Sequence, residues 1–238
     1  MLFSLLWNVG NNNDIQIEAR LTVSIYQLKA SFQNLLRPIV RRLASWGITA
    51  NAVTVTAMLI SVSLGILLFA YAALWRPEDG GYRLWLLLPV WLFVRMALNA
   101  IDGMLAREHG QKSNLGAILN ETGDVISDVA LIIPFFILAW HVDDAIAVPL
   151  IFAVLILAII TEYIGVLGPM LGASRRYDGP LGKSDRAFVF GALGLAYGLG
   201  WIPTGTFVLS GVFGLCTVLL LVTCVKRVKS ILNEVKHA

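Results

Sequence analysis

Carboxylate and amide side chains cluster where one long apolar stretch of the sequence ends and the next begins. The acidic residues that open the second stretch fall within an arc of about 60° if that stretch is helical, because successive helical residues turn by about 100°. Like charges this close repel each other in a low-dielectric environment unless a cation lies between them. Their oxygen atoms favour a hard divalent cation such as Mg²⁺, whereas Zn²⁺ would favour Cys and His. The candidate metal ligands are Asn99, Asp102, Asn120, Glu121, Asp124 and Asp128.

The same cluster has a structural interpretation without a metal. Arg95 and Arg107 are close enough in sequence to serve as counterions for a pair of helices linked by buried hydrogen bonds. Arg95 precedes Asn99 by one helical turn, so we expect it to form an ion pair inside a polar cavity. Gly103 and Gly116 would allow a backbone or a phosphate group to approach closely.

The spacing of these residues resembles the signature of the CDP-alcohol phosphotransferase family. That signature runs Asp-x-x-Asp-Gly-x-x-Ala-Arg, eight residues, Gly, three residues, Asp, three residues, Asp. The spacing agrees at every position, with asparagine in place of the first and third aspartates, and the resemblance extends over roughly residues 30–230. The corresponding residues are Asn99, Asp102, Gly103, Ala106, Arg107, Gly116, Asn120 and Asp124.

The resemblance implies an enzyme of phospholipid synthesis that moves a phosphatidyl group from CDP-diacylglycerol to an alcohol acceptor and releases CMP. In the family, the acidic positions bind one or two divalent metals, Mg²⁺ or Mn²⁺, that hold the donor's pyrophosphate. Asp102 would then be a metal ligand, and Asp124 a metal ligand or the base that takes the acceptor's proton. The residues that would border the CDP group are Asp102, Gly103, Ala106, Arg107 and Gly116.

Asn99 and Asn120 depart from the family pattern and remove two negative charges from the expected metal site. This change could weaken or abolish a second metal, although Glu121 and Asp128 share the face of Asp124 and could compensate. An impaired or repurposed homologue that binds CDP-lipid therefore stays open as an alternative. A membrane transporter is a further alternative, but its ionisable residues would be expected near the middle of the membrane, next to broken helices.

A second polar group lies in a loop and the helix start that follows it. Arginine and lysine there could bind a phosphate on the acceptor or the donor, or they could contact only lipid headgroups. The lone carboxylate of Glu162, inside an apolar stretch, is expected to pair with an arginine from the same end. The candidate acceptor or phosphate ligands are Arg175, Arg176, Lys183 and Arg186.

The composition indicates that lipid surrounds most of the chain. Hydrophobic residues make up 58% of the 238 residues and charged residues 14%, against about 45–50% and about 25% in soluble domains. The net charge of +3 does not indicate nucleic acid, because the basic residues lie at the ends of apolar stretches rather than on one face. Anionic membrane lipids are the expected partners.

Positioning these residues requires an all-α integral membrane fold, which we predict as a six-transmembrane-helix bundle preceded by an amphipathic juxtamembrane helix. The predicted ranges are a disordered extension at 1–21, the surface helix at 22–46, the membrane domain at 47–230 and a tail at 231–238. The predicted spans are 52–74, 82–100, 116–140, 145–168, 187–202 and 204–225.

Lysine and arginine placement predicts the orientation of this bundle. Basic residues collect at alternate ends of the spans, which places both termini and the loops near 101–115 and 169–186 in the cytoplasm. We therefore expect a bacterial inner (plasma) membrane protein with a cytoplasmic active site. The family resemblance further suggests a homodimer.

Overall fold

Helices form the regular structure of the described residues, and no strand occurs among them. The structure is a computed structural model that describes residues 31–74, 82–203 and 205–237. The predicted all-α class is confirmed, while the predictions for 1–21 and 22–30 lie outside the described residues. The helices are α1 (31–45), α2 (Ala50–Leu74), α3 (Leu87–Glu108), α4 (Asn114–Ile132), α5 (Pro134–His141), α6 (Ala147–Met170), α7 (Lys183–Gly198) and α8 (Val208–His237), with a 3₁₀ helix at Arg83–Leu86.

Five helical segments of the described chain are long and apolar enough to cross a membrane, which makes this an integral membrane protein. The predicted fifth span, 187–202, corresponds to α7, whose 16 residues are too few for this set. The predicted number of six spans is therefore approximate, because one helix of the bundle is short. The five segments are Ala50–Leu74, Arg83–Glu108, Asn114–His141, Ala147–Met170 and Val208–Lys236.

The predicted loop near 101–115 is wrong at its beginning, because α3 continues through Glu108. Polar residues after Asn99 lower the hydropathy without ending the helix, since Met, Leu, Ala and Arg are strong helix formers. The helix instead ends just before Gly110, whose φ of 67° is the left-handed conformation common after helices. The first half of the signature is therefore helical.

The predicted span 116–140 is broken between α4 and α5. Pro134 starts α5 because it has no N–H to continue the α4 hydrogen-bond pattern. On the N-terminal side of this break, α4 packs closely against α2. A Cβ at Gly65 would lie 2.2 Å from the carbonyl oxygen of Ala130. This contact fixes α4, which carries the second half of the signature.

Aromatic side chains fill the end of the bundle where α3 begins. Trp85 contacts Phe135 and Tyr197 edge to face, at ring-centroid distances of 5.1 and 5.4 Å. Phe190 stacks on Phe213 at 5.7 Å. These rings, all at most 4% exposed, pack this end of the bundle, and the signature residues lie at the opposite end.

Helix α1 packs on the polar end of the bundle. Leu36 and Val40 are buried in a small apolar cluster with residues of α2 and α3. The hydrogen bond and the charge of Glu108, whose Oε1 lies 3.1 Å from Nη2 of Arg37, raise the pKa of Arg37. Leu35 and Ile39 are exposed on another face of α1, as expected of an amphipathic helix at a membrane surface.

Helix α8 is longer than the predicted sixth span. It begins at Val208, and its 30 residues continue through the predicted tail at 231–238 as far as His237. At about 1.5 Å per residue it measures about 45 Å, more than the roughly 30 Å of a bilayer core. We call residues 226–237 the α8 extension.

Candidate functional site

The signature residues line a cavity of about 560 Å³ between α2, α3 and α4, which we call the signature cavity. Helix α4 is aligned there by Ser113, whose Oγ accepts a 3.0 Å hydrogen bond from the N–H of Gly116 at the helix start. All the signature residues except Asp124 lie in the wall of this cavity. Its lining includes Asn99, Asp102, Gly103, Ala106, Arg107, Gly116, Asn120, Glu121, Arg175 and Tyr177.

Asp102 is 5% exposed and is held in place from α2. Oγ1 of Thr54 donates a hydrogen bond of 2.8 Å to Oδ2 of Asp102. Sequence reasoning did not assign this role to Thr54, because the pairing depends on how α2 packs against α3. The carboxylate therefore has a fixed direction before any ligand arrives.

Two glycines of the signature are needed for space. A Cβ at Gly103 would lie 3.0 Å from Nη1 of Arg107. A Cβ at Gly116 would lie 2.7 Å from Oδ1 of Asn51, which also lines the signature cavity. Larger side chains would push these polar groups into the cavity, which explains why small residues occupy both positions.

A second cavity of about 450 Å³ lies beside the first, and we call it the ion-pair cavity. Asn99, Asn120, Arg175 and Tyr177 line both cavities and therefore form the boundary between them. The ion-pair cavity is otherwise lined mainly by charged residues of α3, α4, α6, α7 and α8. These charged residues are Arg95, Asp124, Glu162, Lys183, Asp185 and Arg227.

Asp124 faces the ion-pair cavity and contacts two cations through one oxygen. Its Oδ1 forms an ion pair with Nζ of Lys183 and lies 3.4 Å from Nη2 of Arg95. Nη1 of Arg95 lies 2.7 Å from Oδ1 of Asp128, which confirms the predicted pairing of Arg95. Nη2 of Arg186 lies 2.7 Å from the other oxygen of Asp128. Asp128 is thus held between two guanidinium groups.

Glu162 joins three arginines at this end of the bundle. Its Oε1 lies 3.2 Å from Nη2 of Arg186 and 3.7 Å from Nη1 of Arg227, and its Oε2 lies 3.5 Å from Nη2 of Arg175. The prediction that Glu162 pairs with an arginine is confirmed. Nη2 of Arg175 also donates a hydrogen bond of 2.5 Å to Glu121.

The α8 extension holds the loop between α6 and α7. Glu234 forms an ion pair with Arg176 and accepts hydrogen bonds from the N–H and hydroxyl of Ser174, at 2.8 and 3.0 Å. Nε of Arg227 donates to the carbonyl of Asp178 at 3.1 Å. In the sequence, Arg227 lies among basic residues that follow the predicted span 204–225. Nothing in that pattern indicated that it reaches a cavity.

The predicted acceptor ligands are therefore only partly brought together. Arg175 and Lys183 line the ion-pair cavity, whereas Arg176 and Arg186 are not in its wall. Arg186 is 1% exposed between Asp128 and Glu162. Arg176 lies against Glu234 of the α8 extension.

The predicted metal ligands are also divided. Among the described residues, no three or more His, Cys, Asp or Glu side chains form a group that could hold a metal. Asp128 and Glu121 are engaged by arginines, and Asp124 contacts Lys183 and Arg95. Asp102 and Asp124 lie with the amides of Asn99 and Asn120 along the two adjoining cavities. Mg²⁺ commonly uses one or two carboxylates together with substrate phosphates. Two carboxylates and two amide oxygens are donors of the kind that such an ion uses.

Comparison with known proteins gives a consistent assignment. The family model described as CDP-alcohol phosphatidyltransferase matches residues 47–225. The chain is 43% identical over 212 residues to inner membrane protein YnbA of Escherichia coli, covering 88% of this chain and 97% of that protein. It is 28% identical over 209 residues to phosphatidylinositol phosphate synthase of Mycobacterium tuberculosis, covering 85% of this chain and 88% of the relative.

Solved structures agree with the sequence comparisons. The crystal structure of phosphatidylinositol phosphate synthase (PgsA1) from Mycobacterium tuberculosis with CDP-DAG bound has a TM-score of 0.65 and 25% identity, covering 82% of this chain and 92% of that one. The same protein in complex with manganese and citrate also gives a TM-score of 0.65 at 25% identity, covering 82% and 87%. By its matched length, its fold and the residues around the signature cavity, this chain belongs to the CDP-alcohol phosphatidyltransferase family.

Proposed function

We propose that this protein transfers the phosphatidyl group of CDP-diacylglycerol to an alcohol and releases CMP. One observation carries the proposal: the signature residues line one cavity, and Asp124 lines a second cavity that shares a wall with it. A donor in the signature cavity would place its diphosphate near Asn99 and Asn120, within reach of an acceptor on the other side. The relative crystallised with CDP-DAG has the same fold, which supports CDP-diacylglycerol as the donor.

A divalent ion, Mg²⁺ or Mn²⁺, fits the shared wall in this proposal. Asp102 and Asp124 would hold it, with the side-chain oxygens of Asn99 and Asn120 as neutral ligands. When bound, it would neutralise the donor's diphosphate and stabilise the leaving CMP. The relative crystallised with manganese and citrate supports such an ion.

The residues of the chain itself supply the rest of the reaction. Gly103 leaves space for the guanidinium group of Arg107, which lies in the wall of the signature cavity and would pair with the donor's phosphates. The acceptor's hydroxyl oxygen forms a bond to the phosphorus that carries diacylglycerol, and the bond from that phosphorus to the CMP oxygen breaks. Asp124 takes the hydroxyl proton. Because both its cation contacts are made through Oδ1, we assign the proton to Oδ2.

We further propose that the protein lies in a bacterial inner membrane as a homodimer, with both termini and both cavities on the cytoplasmic side. The polar end of the bundle carries Arg107, Lys112, Arg175 and Lys183, in agreement with the usual excess of positive charge on that side. The name of the Escherichia coli relative, an inner membrane protein, supports this location.

Metal-dependent release of CMP tests the proposed activity. Purified protein in vesicles should release CMP from CDP-diacylglycerol when an alcohol and Mn²⁺ or Mg²⁺ are present, and chelation should stop the reaction. Asp124→Asn should lower the rate by at least about 100-fold. Asp143→Asn is the matched control, because Asp143 is an exposed carboxylate at the opposite end of the bundle. Undiminished release by the Asp124 variant would refute the proposal.

A non-catalytic CDP-lipid binder is the second candidate, and Asn99 and Asn120 are the observation that favours it. Such a protein would bind CDP-diacylglycerol without releasing CMP under any metal or acceptor condition. Restoring both aspartates, Asn99→Asp with Asn120→Asp, would then generate activity that the natural sequence lacks. Activity of the natural protein would exclude this candidate.

A further inference from the structure

We propose that the acceptor alcohol carries no net charge, and that it is a polyol or a zwitterion rather than a phosphorylated alcohol. This inference rests on the proposed transferase function and concerns the ion-pair cavity, where the acceptor would bind. It follows from the balance of charge around that cavity. The cavity contains cations, but each of them is already held by a carboxylate of the same chain.

Arg175 and Lys183 are the cations that a bound acceptor could reach most easily, with side chains 21% and 26% exposed. Nη2 of Arg175 lies 2.5 Å from Oε2 of Glu121 and 3.5 Å from Oε2 of Glu162. Lys183 forms an ion pair with Asp124. A phosphate would have to take Arg175 from two carboxylates that would then lose this partner beside it.

Three arginines are too buried to bind an incoming anion, since their side chains are at most 4% exposed. They are Arg95, Arg186 and Arg227. Arg95 forms an ion pair with one oxygen of Asp128, and Arg186 forms an ion pair with the other. Breaking a buried ion pair is costly because it leaves an uncompensated charge in a poorly solvated place. These arginines therefore stabilise the helices around the cavity rather than offer a free positive charge.

Among the described residues, the charged groups of the cavity wall and the residues that pair with them comprise five cations and five carboxylates, so the formal charges cancel. Asp185 completes the set by accepting a 2.8 Å hydrogen bond from the N–H of Gly182 at the start of α7. In the proposed reaction the divalent ion offsets the charge of the donor's diphosphate, so an anionic acceptor would add negative charge that this set does not compensate. The carboxylates of this set are Glu121, Asp124, Asp128, Glu162 and Asp185.

The uncharged polar groups in the wall suit hydroxyl groups. Asn99 and Asn120 present amides, and Tyr177 and Ser184 present hydroxyls. Such groups donate and accept hydrogen bonds without demanding charge. A volume of about 450 Å³ accommodates a small polyol or an amino alcohol.

Matched pairs of acceptors test the inference with the full-length protein. CMP release is measured with glycerol against glycerol phosphate, and with inositol against inositol phosphate, with serine as a zwitterion. We expect kcat/KM to be at least about tenfold higher for the uncharged member of a pair, since like charges disfavour the wrong partner. An equal or higher value for a phosphorylated member overturns the inference but leaves the transferase proposal intact. No CMP release with any acceptor counts against the transferase itself.

Phosphate binding gives a measurement that does not depend on turnover. With CDP-diacylglycerol filling the signature cavity, inorganic phosphate should not raise the thermal stability of the natural protein. Glu121→Gln removes one carboxylate from Arg175 and should create measurable protection by phosphate. Glu108→Gln, which removes the surface partner of Arg37, should create none. Protection of the natural protein by millimolar phosphate would overturn the inference.

Discussion

Lys183, the first residue of α7, forms an ion pair with Asp124 in the middle of α4. The two residues are far apart in the sequence, and both line the ion-pair cavity. In the proposed reaction, Asp124 is also a metal ligand. The ammonium group of Lys183 therefore competes with a divalent ion for the same carboxylate.

Replacing Lys183 should strengthen metal binding. In Lys183→Gln, Asp124 loses a positive partner, and we expect the dissociation constant for Mn²⁺ to fall by about 10-fold or more, the scale seen when groups around a metal site are altered. Mn²⁺ titration followed by electron paramagnetic resonance measures this directly. Lys229→Gln, a change at an exposed lysine of the α8 extension, is the control. An unchanged constant would show that Lys183 does not compete.

Restoring the signature aspartates should change metal stoichiometry. Asn99→Asp with Asn120→Asp adds two negative charges to the wall shared by the cavities. We expect one bound Mn²⁺ in the natural protein and two in the double variant, because carboxylates attract a hard cation more strongly than amides do. Equilibrium dialysis counts the ions. Two ions in the natural protein would contradict this expectation.

Removing the hydroxyl of Thr54 should weaken donor binding. Thr54→Val keeps the shape of the side chain but deletes the 2.8 Å hydrogen bond to Asp102. A hydrogen bond to a charged group contributes about 1.5–3 kcal/mol, so we expect a higher KM for CDP-diacylglycerol. Thr217→Val is a matched control, since Thr217 bonds only to the carbonyl of Phe213 within α8 among the contacts described. Equal KM values would argue against a role for Thr54.

The close packing of α2 on α4 predicts a strong effect on stability. Gly65→Ala would bring its Cβ to 2.2 Å from the backbone oxygen of Ala130, so the helices must separate. Overpacking of this kind costs about 1–3 kcal/mol, visible as a lower Tm in detergent. Gly211→Ala in α8 meets open space and should be neutral or stabilising. If both variants melt alike, the close contact does not control stability.

Releasing the loop between α6 and α7 should affect the acceptor more than the donor. Glu234→Gln weakens the contacts with Ser174 and Arg176, and the neighbouring Arg175 lines the ion-pair cavity. We expect the KM for the acceptor to rise several-fold while the KM for CDP-diacylglycerol changes little. Glu108→Gln provides the control. Equal changes in both KM values would indicate a general loss of structure.

The sequence predicted the helical class and the gathering of the signature residues well, because both depend on local pattern. Apolar stretches indicate membrane helices directly, and the spacing from Asp102 to Asp124 places the signature residues in the second half of α3 and between the start and the middle of α4. Helix ends were less predictable. Polar residues after Asn99 resembled a loop but continue α3, and α8 continues far beyond its apolar part.

The partners of the charged residues could not be predicted from the sequence. Arg186 meets Asp128 and Glu162 from distant parts of the chain, and such pairs depend on how α4, α6 and α7 are packed. Sequence patterns give the number of charges but not which of them neutralise each other. That pairing is what distinguishes a cavity with excess positive charge from the balanced one in this structure.

The shortness of α7 has a consequence for the surrounding lipid. Sixteen helical residues measure about 24 Å, about 6 Å less than a typical bilayer core. Such a hydrophobic mismatch is met by local thinning of the bilayer, by snorkelling of flanking residues or by oligomerisation. Lys183 and the ion-pair cavity lie at the start of α7, so thinning on that side would let water and headgroups reach below the usual interface. A lipid with a large polar head could then enter without crossing a full hydrocarbon layer.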